Sequence, residues 1–328
     1  MTNDSAGRAP ALYWPVQLRR NRGVVGLFIV VAGFVAVYAW LFPGILTVGG
    51  VSKFAQSWLP LALVSMAQAM LLLTGGISLA IGPSVSLGVV IAATTMSGVL
   101  GVPGGILLVA VAGLGIGALT GFIVVRLHLP AIIVTLAGSF IIPGAALLIL
   151  PPPGGAIPPW FSDLPAGNTP VALTLVVVVA LLWKLYLATP LGLSLYAAGE
   201  NPVGAYRAGV RVDLARIVAY ALSGLLSTAA GLFIAAQIGS GDPVIGEAYT
   251  LNSIAAVVLG GTSLLGGVGG AVASLVGAAI LRVISFYFRI LDIDPLLQPL
   301  IEGLVLLIAV SFGAIRTLRV KNKLDLFR

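Results

Sequence analysis

Long apolar runs with almost no charge occupy most of this chain of 328 residues. Hydrophobic residues make up 59% of the chain and charged residues only 8%, whereas soluble domains carry roughly 25% charged residues. A helix of about 20 apolar residues crosses the bilayer core, which is about 30 Å thick. The runs therefore predict an all-α integral membrane protein with about ten transmembrane helices, near residues 24–42, 58–74, 84–100, 105–126, 131–150, 171–188, 217–238, 246–260, 270–288 and 297–315.

Two of these runs, 58–74 and 246–260, are short for a straight crossing, and each ends at a glycine pair. Glycine pairs permit a helix to break and another backbone to approach closely. The two positions therefore predict broken or re-entrant helices, whose free backbone groups are paired inside the protein or line a cavity.

The positive charges predict how the chain is oriented. With the N-terminus inside, 14 of the 17 lysines and arginines fall in cytosolic segments and three fall outside. This bias fits an even number of spans, and we expect a multi-pass membrane protein with both termini cytosolic. The predicted organisation is an N-terminal cytosolic tail at 1–23, a single transmembrane domain at 24–315 that includes a long cytosolic loop at 189–217, and a C-terminal cytosolic tail at 316–328.

Two similar glycine-rich segments lie in the two halves of the chain. Gly75-Gly76-Ile77-Ser78-Leu79 precedes Gly82, and Gly260-Gly261-Thr262-Ser263-Leu264 precedes Gly267. Both follow a short apolar run and lead into another. The pattern predicts an internal repeat, and in transporters a solute site often lies where broken helices from two repeats meet. The relative orientation of the two copies depends on the span count and stays open.

Uncharged polar residues within the apolar runs and in the two glycine-rich segments are candidates to line a path for a polar solute. The alternative role of each polar side chain is a hydrogen bond between helices, worth about 0.6 kcal/mol. The alternative role of each glycine in the two segments is close helix packing. The candidates for the path are Ser78, Gln68, Gln237, Asn252, Thr262 and Ser263, and the candidate helix-break glycines are Gly75, Gly76, Gly260 and Gly261.

Enzymatic chemistry has little support in the sequence. The chain has no cysteine and one histidine, His128, and it offers no nucleophile–base pair, so we expect neither a metal nor a cofactor. The glycine-rich run 260–270 lacks the Gly-Lys-Ser/Thr ending of a phosphate loop. Gly113, Gly117 and Gly121 have the helical spacing of a helix–helix contact. The positive charge lies beside the spans and does not indicate a nucleic-acid partner.

A polar segment at 189–217, which we call the island, interrupts the apolar runs. Asn201-Pro202 predicts a helix start and Gly209 its end. Such a helix of about two turns is too short to be stable alone in water. We expect Ala205 and Ala208 to form a small face for a partner, with Tyr206 and Arg207 at its rim. The alternative is a helix resting on lipid headgroups.

The segment 151–170 is the longest predicted outer loop. Its prolines favour extended backbone, and Trp160 and Phe161 suit the membrane interface. The loop either receives an external partner or closes the external face.

Four blocks of the chain resemble the permease subunits of bacterial sugar ABC importers of the ribose, xylose and arabinose type, which are distantly related to the branched-chain amino-acid permeases. The blocks are LLLTGGISLAIG, LPAIIVTLAGSFIIPGAALLI, AAGENPVGAYRAGVRVDLARIVAYALSGLLSTAAGL and LNSIAAVVLGGTSLLGGVGGAVASLVGAAIL. The resemblance implies a transport subunit of the bacterial plasma (inner) membrane, without enzymatic activity, that works by alternating access. It also implies a second permease copy, a cytosolic ATPase, and a periplasmic or lipid-anchored solute-binding protein as partners. The segment matching the family's ATPase-coupling helix nominates Asn201, Ala205, Arg207 and Gly209.

One departure concerns the solute. The family usually has Gly-Gly-Ile-Asp-Leu-Ser-Val-Gly where this chain has Ser78 for the aspartate and Ala80 for the serine. The cargo therefore stays open among a monosaccharide, a nucleoside, a branched-chain amino acid and a sugar-derived signal. A stand-alone secondary carrier is disfavoured, because Glu302 is nearly alone as an acid within a predicted span.

Overall fold

The computed structural model describes residues 47–166 and 171–291 continuously, together with a few isolated positions beyond them. Within these ranges the chain is helical and has no strand, which confirms the all-α prediction for this part. The predicted spans 24–42 and 297–315, Glu302 and the two tails fall outside the two ranges. The helices are α1 (Val48–Leu73), α2 (Ile81–Thr95), α3 (Gly101–Arg126), α4 (Ala131–Ile149), α5 (Pro159–Ala166), α6 (Val171–Leu187), α7 (Pro190–Glu200), α8 (Pro202–Arg207), α9 (Val212–Ile238), α10 (Glu247–Leu259) and α11 (Ala271–Ile290).

Five of the described helices are long and apolar enough to cross a membrane, namely α1, α3, α4, α9 and α11. Helices α6 and α7 make a sixth if they are counted as one span, although a bend of 78° separates them. Helices α2 and α10 are apolar but have only 15 and 13 residues. The chain is therefore a multi-spanning helical protein, and the total of ten spans stays a prediction.

Helix α1 is longer than the sequence indicated. We expected a short segment at 58–74, but the helix has 26 residues because it begins at Val48, where the Thr47 hydroxyl caps it by accepting a hydrogen bond from Gly50 N at 3.2 Å. Polar residues such as Ser52 and Lys53 hide its first turns from a hydropathy reading. The prediction of a short segment is wrong here, whereas it holds for α10.

Two helices organise the core. Helix α1 is buried along most of its length and packs against α6, α9, α10 and α11, and the Trp58 indole donates to the carbonyl of Leu275 at 3.0 Å. Helix α9 packs along α1, α2 and α3. Helices α3 and α4 leave large apolar side chains such as Phe122, Phe140 and Leu148 exposed, as expected for faces that meet lipid or another membrane subunit.

The predicted glycine stripe of α3 is confirmed as a helix contact. Gly113, Gly117 and Gly121 are buried against the backbone of α9, and a methyl group on any of them would collide with that helix. Gly115, which lies between them in sequence, faces open space. Because glycine has no side chain, the two backbones approach closely, and this contact fixes where α9 runs.

The loop between α4 and α5 covers one end of the bundle. Gly154 and Gly241 form an isolated antiparallel bridge, Ala156 N donates to Ala93 O at 3.1 Å, and Ile157 N donates to Gly239 O at 3.2 Å. The prolines of 151–170 favour extended backbone, but Pro159–Ala166 is helical, with proline at its first position, where no backbone donor is needed. These bonds to the ends of α2 and α9 favour the interpretation that the loop closes this face.

Candidate functional site

The two glycine segments end their helices in the same way. At the end of α1, Gly76 N donates to Leu71 O and Gly75 N to Leu72 O, both at 2.9 Å, and Gly75 has φ +80°. This is a Schellman cap, in which a left-handed residue satisfies the last carbonyls of a helix. We call residues 74–80 the first break and residues 260–270 the second break.

The end of α10 repeats this cap. Thr262 N donates to Val257 O at 3.2 Å, Gly261 N donates to Val258 O at 2.8 Å, and Gly261 also has φ +80°. The structural counterpart of Gly75 is therefore Gly261, whereas the sequence pairing had matched it with Gly260. The residue with left-handed backbone is determined by where each helix ends, and the similarity of the two amino-acid sequences does not identify it.

The serine of each break closes a local turn. Ser78 Oγ accepts from Ala80 N at 3.2 Å, and Ser263 Oγ accepts from Leu265 N at 3.1 Å. Thr262 is buried and accepts from Gly270 N at 3.3 Å. These three hydroxyls thus stabilise the irregular backbone, and each retains an O–H that can donate.

The two breaks meet each other and the island. Gly267 N donates to Leu73 O at 3.1 Å, so the second break is bonded to the last residue of α1. Gly199, near the end of α7, lies where an added methyl group would collide with both Leu73 O and Gly267 N. The Tyr196 hydroxyl of α7 also donates to Gly269 O at 3.1 Å. The island therefore touches both broken helices directly.

Two cavities adjoin the first break. The larger, which we call the vestibule, has a volume of about 270 Å³ and lies among the end of α1, the end of α3 and the start of α9; its rim residues His128, Leu129 and Asp213 are exposed. The smaller has about 20 Å³, which is room for about one water molecule. Half of the residues that line the smaller cavity carry hydroxyl groups, namely Ser78, Ser84, Thr120, Tyr220, Ser223 and Ser227, and the other half are apolar.

Of the predicted path residues, only Ser78 lines either cavity. Gln68 is fully buried on α1, one helical turn before Leu71, which lines the smaller cavity. Neither amide atom of Gln68 has a hydrogen-bond partner within the described residues. Asn252 is buried on α10, and Gln237 is exposed, where it donates to Gln56 O at 2.9 Å.

Sequence reasoning missed the hydroxyl groups of α9. Tyr220, Ser223 and Ser227 follow one another at helical spacing on a single face. That spacing was a usable signal in the sequence, because hydroxyl side chains that recur on one face of an apolar helix make that face polar.

Helix α8 carries the predicted capping residues. The Asn201 side chain accepts from Gly204 N at 2.9 Å, which confirms the predicted helix start. At the other end Val210 N donates to Ala205 O and Gly209 N to Tyr206 O, both at 3.0 Å, and Gly209 has φ +79°. The predicted end is therefore also confirmed, and the helix is six residues long.

The exposed face of α8 differs from the expected one. Ala205 is only 8% exposed because it packs with Ala198 and Val212, so its methyl group is not available to a partner. Val203 and Tyr206 are instead 63% and 74% exposed, and Arg207 is exposed beside them. Sequence spacing alone could not show which side of so short a helix faces α7 and α9.

Within the described residues, no group of three or more His, Asp or Glu side chains is placed to hold a metal ion. No solved structure matches the chain significantly.

Curated proteins are similar to this chain over most of its length. The ribose import permease protein RbsC of Escherichia coli K12 is 30% identical over 309 residues, which is 89% of this chain and 93% of that protein. The RbsC protein of Haemophilus influenzae is 30% identical over 294 residues, 86% of this chain and 90% of that protein. The autoinducer 2 import system permease protein LsrC of Yersinia pestis (strain Pestoides F) is 32% identical over 264 residues, 77% and 73%.

A family profile described as "Branched-chain amino acid transport system / permease component" matches residues 50–310, which include both breaks, both cavities and the island. The chain therefore belongs to this family of transport permeases.

Proposed function

We propose that this chain is the membrane-spanning permease subunit of an ATP-binding-cassette importer, and that it moves a monosaccharide or a similar small polar solute by alternating access. The observation that carries the proposal is the contact of the island with both breaks. A short exposed helix, α8, is thereby connected through α7 to the two places where the membrane helices are interrupted. Permease relatives of similar length, named for ribose and autoinducer 2 import, support the same function.

In this proposal α8 is the coupling helix and receives a cytosolic ATPase. Asn201 and Gly209 fix the two ends of the helix, Ala205 anchors it to α7 and α9, and Arg207 lies on its exposed side together with Val203 and Tyr206. An aromatic residue with a neighbouring arginine is typical of an interface centre. The ATPase hydrolyses ATP, and this chain carries no catalytic residue.

The solute path in this proposal runs beside the first break. Hydroxyl side chains around the smaller cavity suit a solute that is itself rich in hydroxyl groups, because their oxygens can accept hydrogen bonds from it. Ser84, Thr120 and Ser227 already donate to carbonyls of their own helices. A cavity of about 20 Å³ is far too small for a monosaccharide, so the path is closed at this point in the conformation described. Opening requires the break glycines Gly75 and Gly76 to move, and by analogy Gly260 and Gly261 in the second break.

The remaining assignments follow from the same proposal. A second copy of the permease covers part of the exposed apolar surface, lipid covers the rest, and a periplasmic or lipid-anchored binding protein delivers the solute. The island faces the cytosol in a bacterial inner membrane, and ten spans place both termini on that side. The matching Schellman caps of the two breaks support an internal repeat.

A second cargo has specific support. The similarity to an autoinducer 2 permease favours a sugar-derived signal as an alternative to a monosaccharide. A nucleoside or a branched-chain amino acid would use the same machine class with a different path lining, and the family description names the latter. A stand-alone secondary carrier would instead need an ion gradient and no ATPase.

Transport in proteoliposomes tests the function. The full-length chain, reconstituted with its ATPase and binding protein, is expected to accumulate radiolabelled ribose only when ATP is supplied. Removing ATP or the ATPase should reduce uptake to the level of empty liposomes. Accumulation driven by a proton or sodium gradient without the ATPase would contradict the proposal. If ATP hydrolysis is stimulated by the binding protein but ribose does not enter, the machine class stands and ribose is not the cargo.

Replacement of Gln68 by leucine should raise the stability of the protein and lower its transport. A buried amide without partners costs about 1–3 kcal/mol, and leucine of similar size removes that cost. The Gln68 amide would offset this cost by binding the solute when the path opens. Thermal unfolding in detergent and initial uptake rates measure the two effects.

The conservative change Met66→Leu, also in the buried part of α1, should alter neither the stability nor the uptake by much. A more stable Gln68→Leu protein with normal uptake would remove Gln68 from the path.

A further inference from the structure

Tyr220 lies between the vestibule and the smaller cavity. This residue lines both cavities, and it is only 3% exposed. The vestibule side holds His128, Asp213 and Arg216, whereas the other side holds uncharged hydroxyl groups. The ring therefore separates a charged space from an uncharged polar one.

The phenol hydroxyl closes directly onto the first break. A methyl group added to Gly76 would lie 2.7 Å from the Tyr220 oxygen, so only glycine leaves room for the ring in this position. The hydroxyl is buried and has no hydrogen-bond partner within the described residues. A buried O–H without a protein partner is unfavourable, and this hydroxyl therefore keeps its donor and acceptor capacity for a group that enters beside it.

The backbone that carries the ring is held firmly. Tyr220 O packs against Gly117, and an added methyl group on Gly121 would lie 2.8 Å from Tyr220 Cβ. The close α3–α9 contact thus fixes the backbone and the Cβ of Tyr220. The other wall of the constriction is the irregular backbone of the first break. It is held by the Schellman cap at Gly75 and Gly76 and by a hydrogen bond from the Thr135 side chain to Ile77 O, and not by a continuous helix.

From this geometry we infer that Tyr220 is the gate between the hydroxyl-lined cavity and the vestibule. The passage is closed when the phenol rests on Gly76, and it opens when the first break moves away from the ring. The direction in which the solute passes Tyr220 rests on the proposed function. The barrier that Tyr220 forms with Gly76 does not depend on it. The exposed hydroxyl is then available to a hydroxyl-rich solute at the narrowest point.

The absence of cysteine from the chain permits a direct test of the barrier. Ser84→Cys places a thiol beyond the gate with little change of volume, and Val124→Cys places one in the vestibule. Each is made in the full-length chain, in membrane vesicles of both orientations, and labelled with a charged maleimide that does not cross membranes. The vesicle orientation that labels Val124→Cys shows which side the vestibule faces, and the gate is tested in that orientation.

Within that orientation, Ser84→Cys should react slowly when Tyr220 is present and at least about tenfold faster with Tyr220→Ala, because the reactivity of a buried thiol follows the population of open states. Tyr220→Phe keeps the ring and should keep the protection. Tyr220→Leu fills the helix contact but is shorter, and should also accelerate labelling; it replaces the alanine variant if that variant does not fold.

An unchanged Val124→Cys rate shows that the vestibule is intact. Equal labelling of Ser84→Cys with tyrosine, alanine and leucine would overturn the gate. A vestibule that opens to the periplasmic side would instead contradict the proposed orientation while leaving the barrier measurable.

Discussion

Replacing Gly117 by alanine is expected to destabilise the protein strongly, whereas the same change at Gly115 should stabilise it slightly. A methyl group at position 117 would collide with the carbonyl oxygen of Tyr220 and lie 2.9 Å from the Cα of Ala221, so α3 and α9 would have to separate. Backbone atoms cannot change rotamer to make room. The cost should exceed the about 1–3 kcal/mol of ordinary overpacking.

Gly115 is the matched control because it lies on the same helix, two residues away, and has no atom within 4 Å of an added methyl group. There the change affects little beyond helix propensity, in which alanine exceeds glycine by up to about 1 kcal/mol. Thermal unfolding in detergent and the yield of monodisperse protein measure both variants. Equal behaviour of the two alanine variants would show that the α3–α9 crossing is not as described.

Replacing Tyr206 by alanine should lower ATP-driven uptake by more than about tenfold while the chain remains inserted and folded. The ring is 74% exposed on a six-residue helix and contributes little to the fold of this subunit. If α8 docks the ATPase, losing an aromatic anchor costs about 2 kcal/mol or more of binding, and each 1.4 kcal/mol is a factor of ten. Uptake rate, and the amount of ATPase that co-purifies with the chain, are the two measurements.

The control for Tyr206 is Leu193→Ala on α7, since Leu193 is 64% exposed and lies in the same island. This variant should retain both uptake and the ATPase. Ala205 is a poorer probe, because a larger residue there would disrupt its packing with Ala198 and Val212 and change the shape of the island itself. Normal uptake by Tyr206→Ala would reject docking on this face of α8.

Local chemistry explains which features could be predicted from the sequence. The start of α8 at Asn201 and its end at Gly209 depend on residues within one turn of each cap. The contact face of Gly113, Gly117 and Gly121 depends only on helical spacing. Such features are determined by near neighbours in the chain, and the structure places them where the pattern predicted.

Features set by distant segments could not be predicted in the same way. The inward side of Ala205 depends on α7 and α9, and the position of Tyr220 depends on the close contact of α9 with α3 and on the path of the first break. The length of α1 was missed because its early polar residues interrupt the hydropathy signal. Burial of a polar side chain such as Gln68 follows from the packing of several helices and has no local signature.

Gly199 gives the island an unusually stiff mechanical linkage. Ordinarily a side chain between two backbones can rotate and absorb part of any displacement. At Gly199 no side chain intervenes, so the backbone of α7 bears on Leu73 and Gly267 without a flexible spacer. A displacement of the island would therefore move the end of α1 and the second break together, because no side chain between the backbones can absorb part of it.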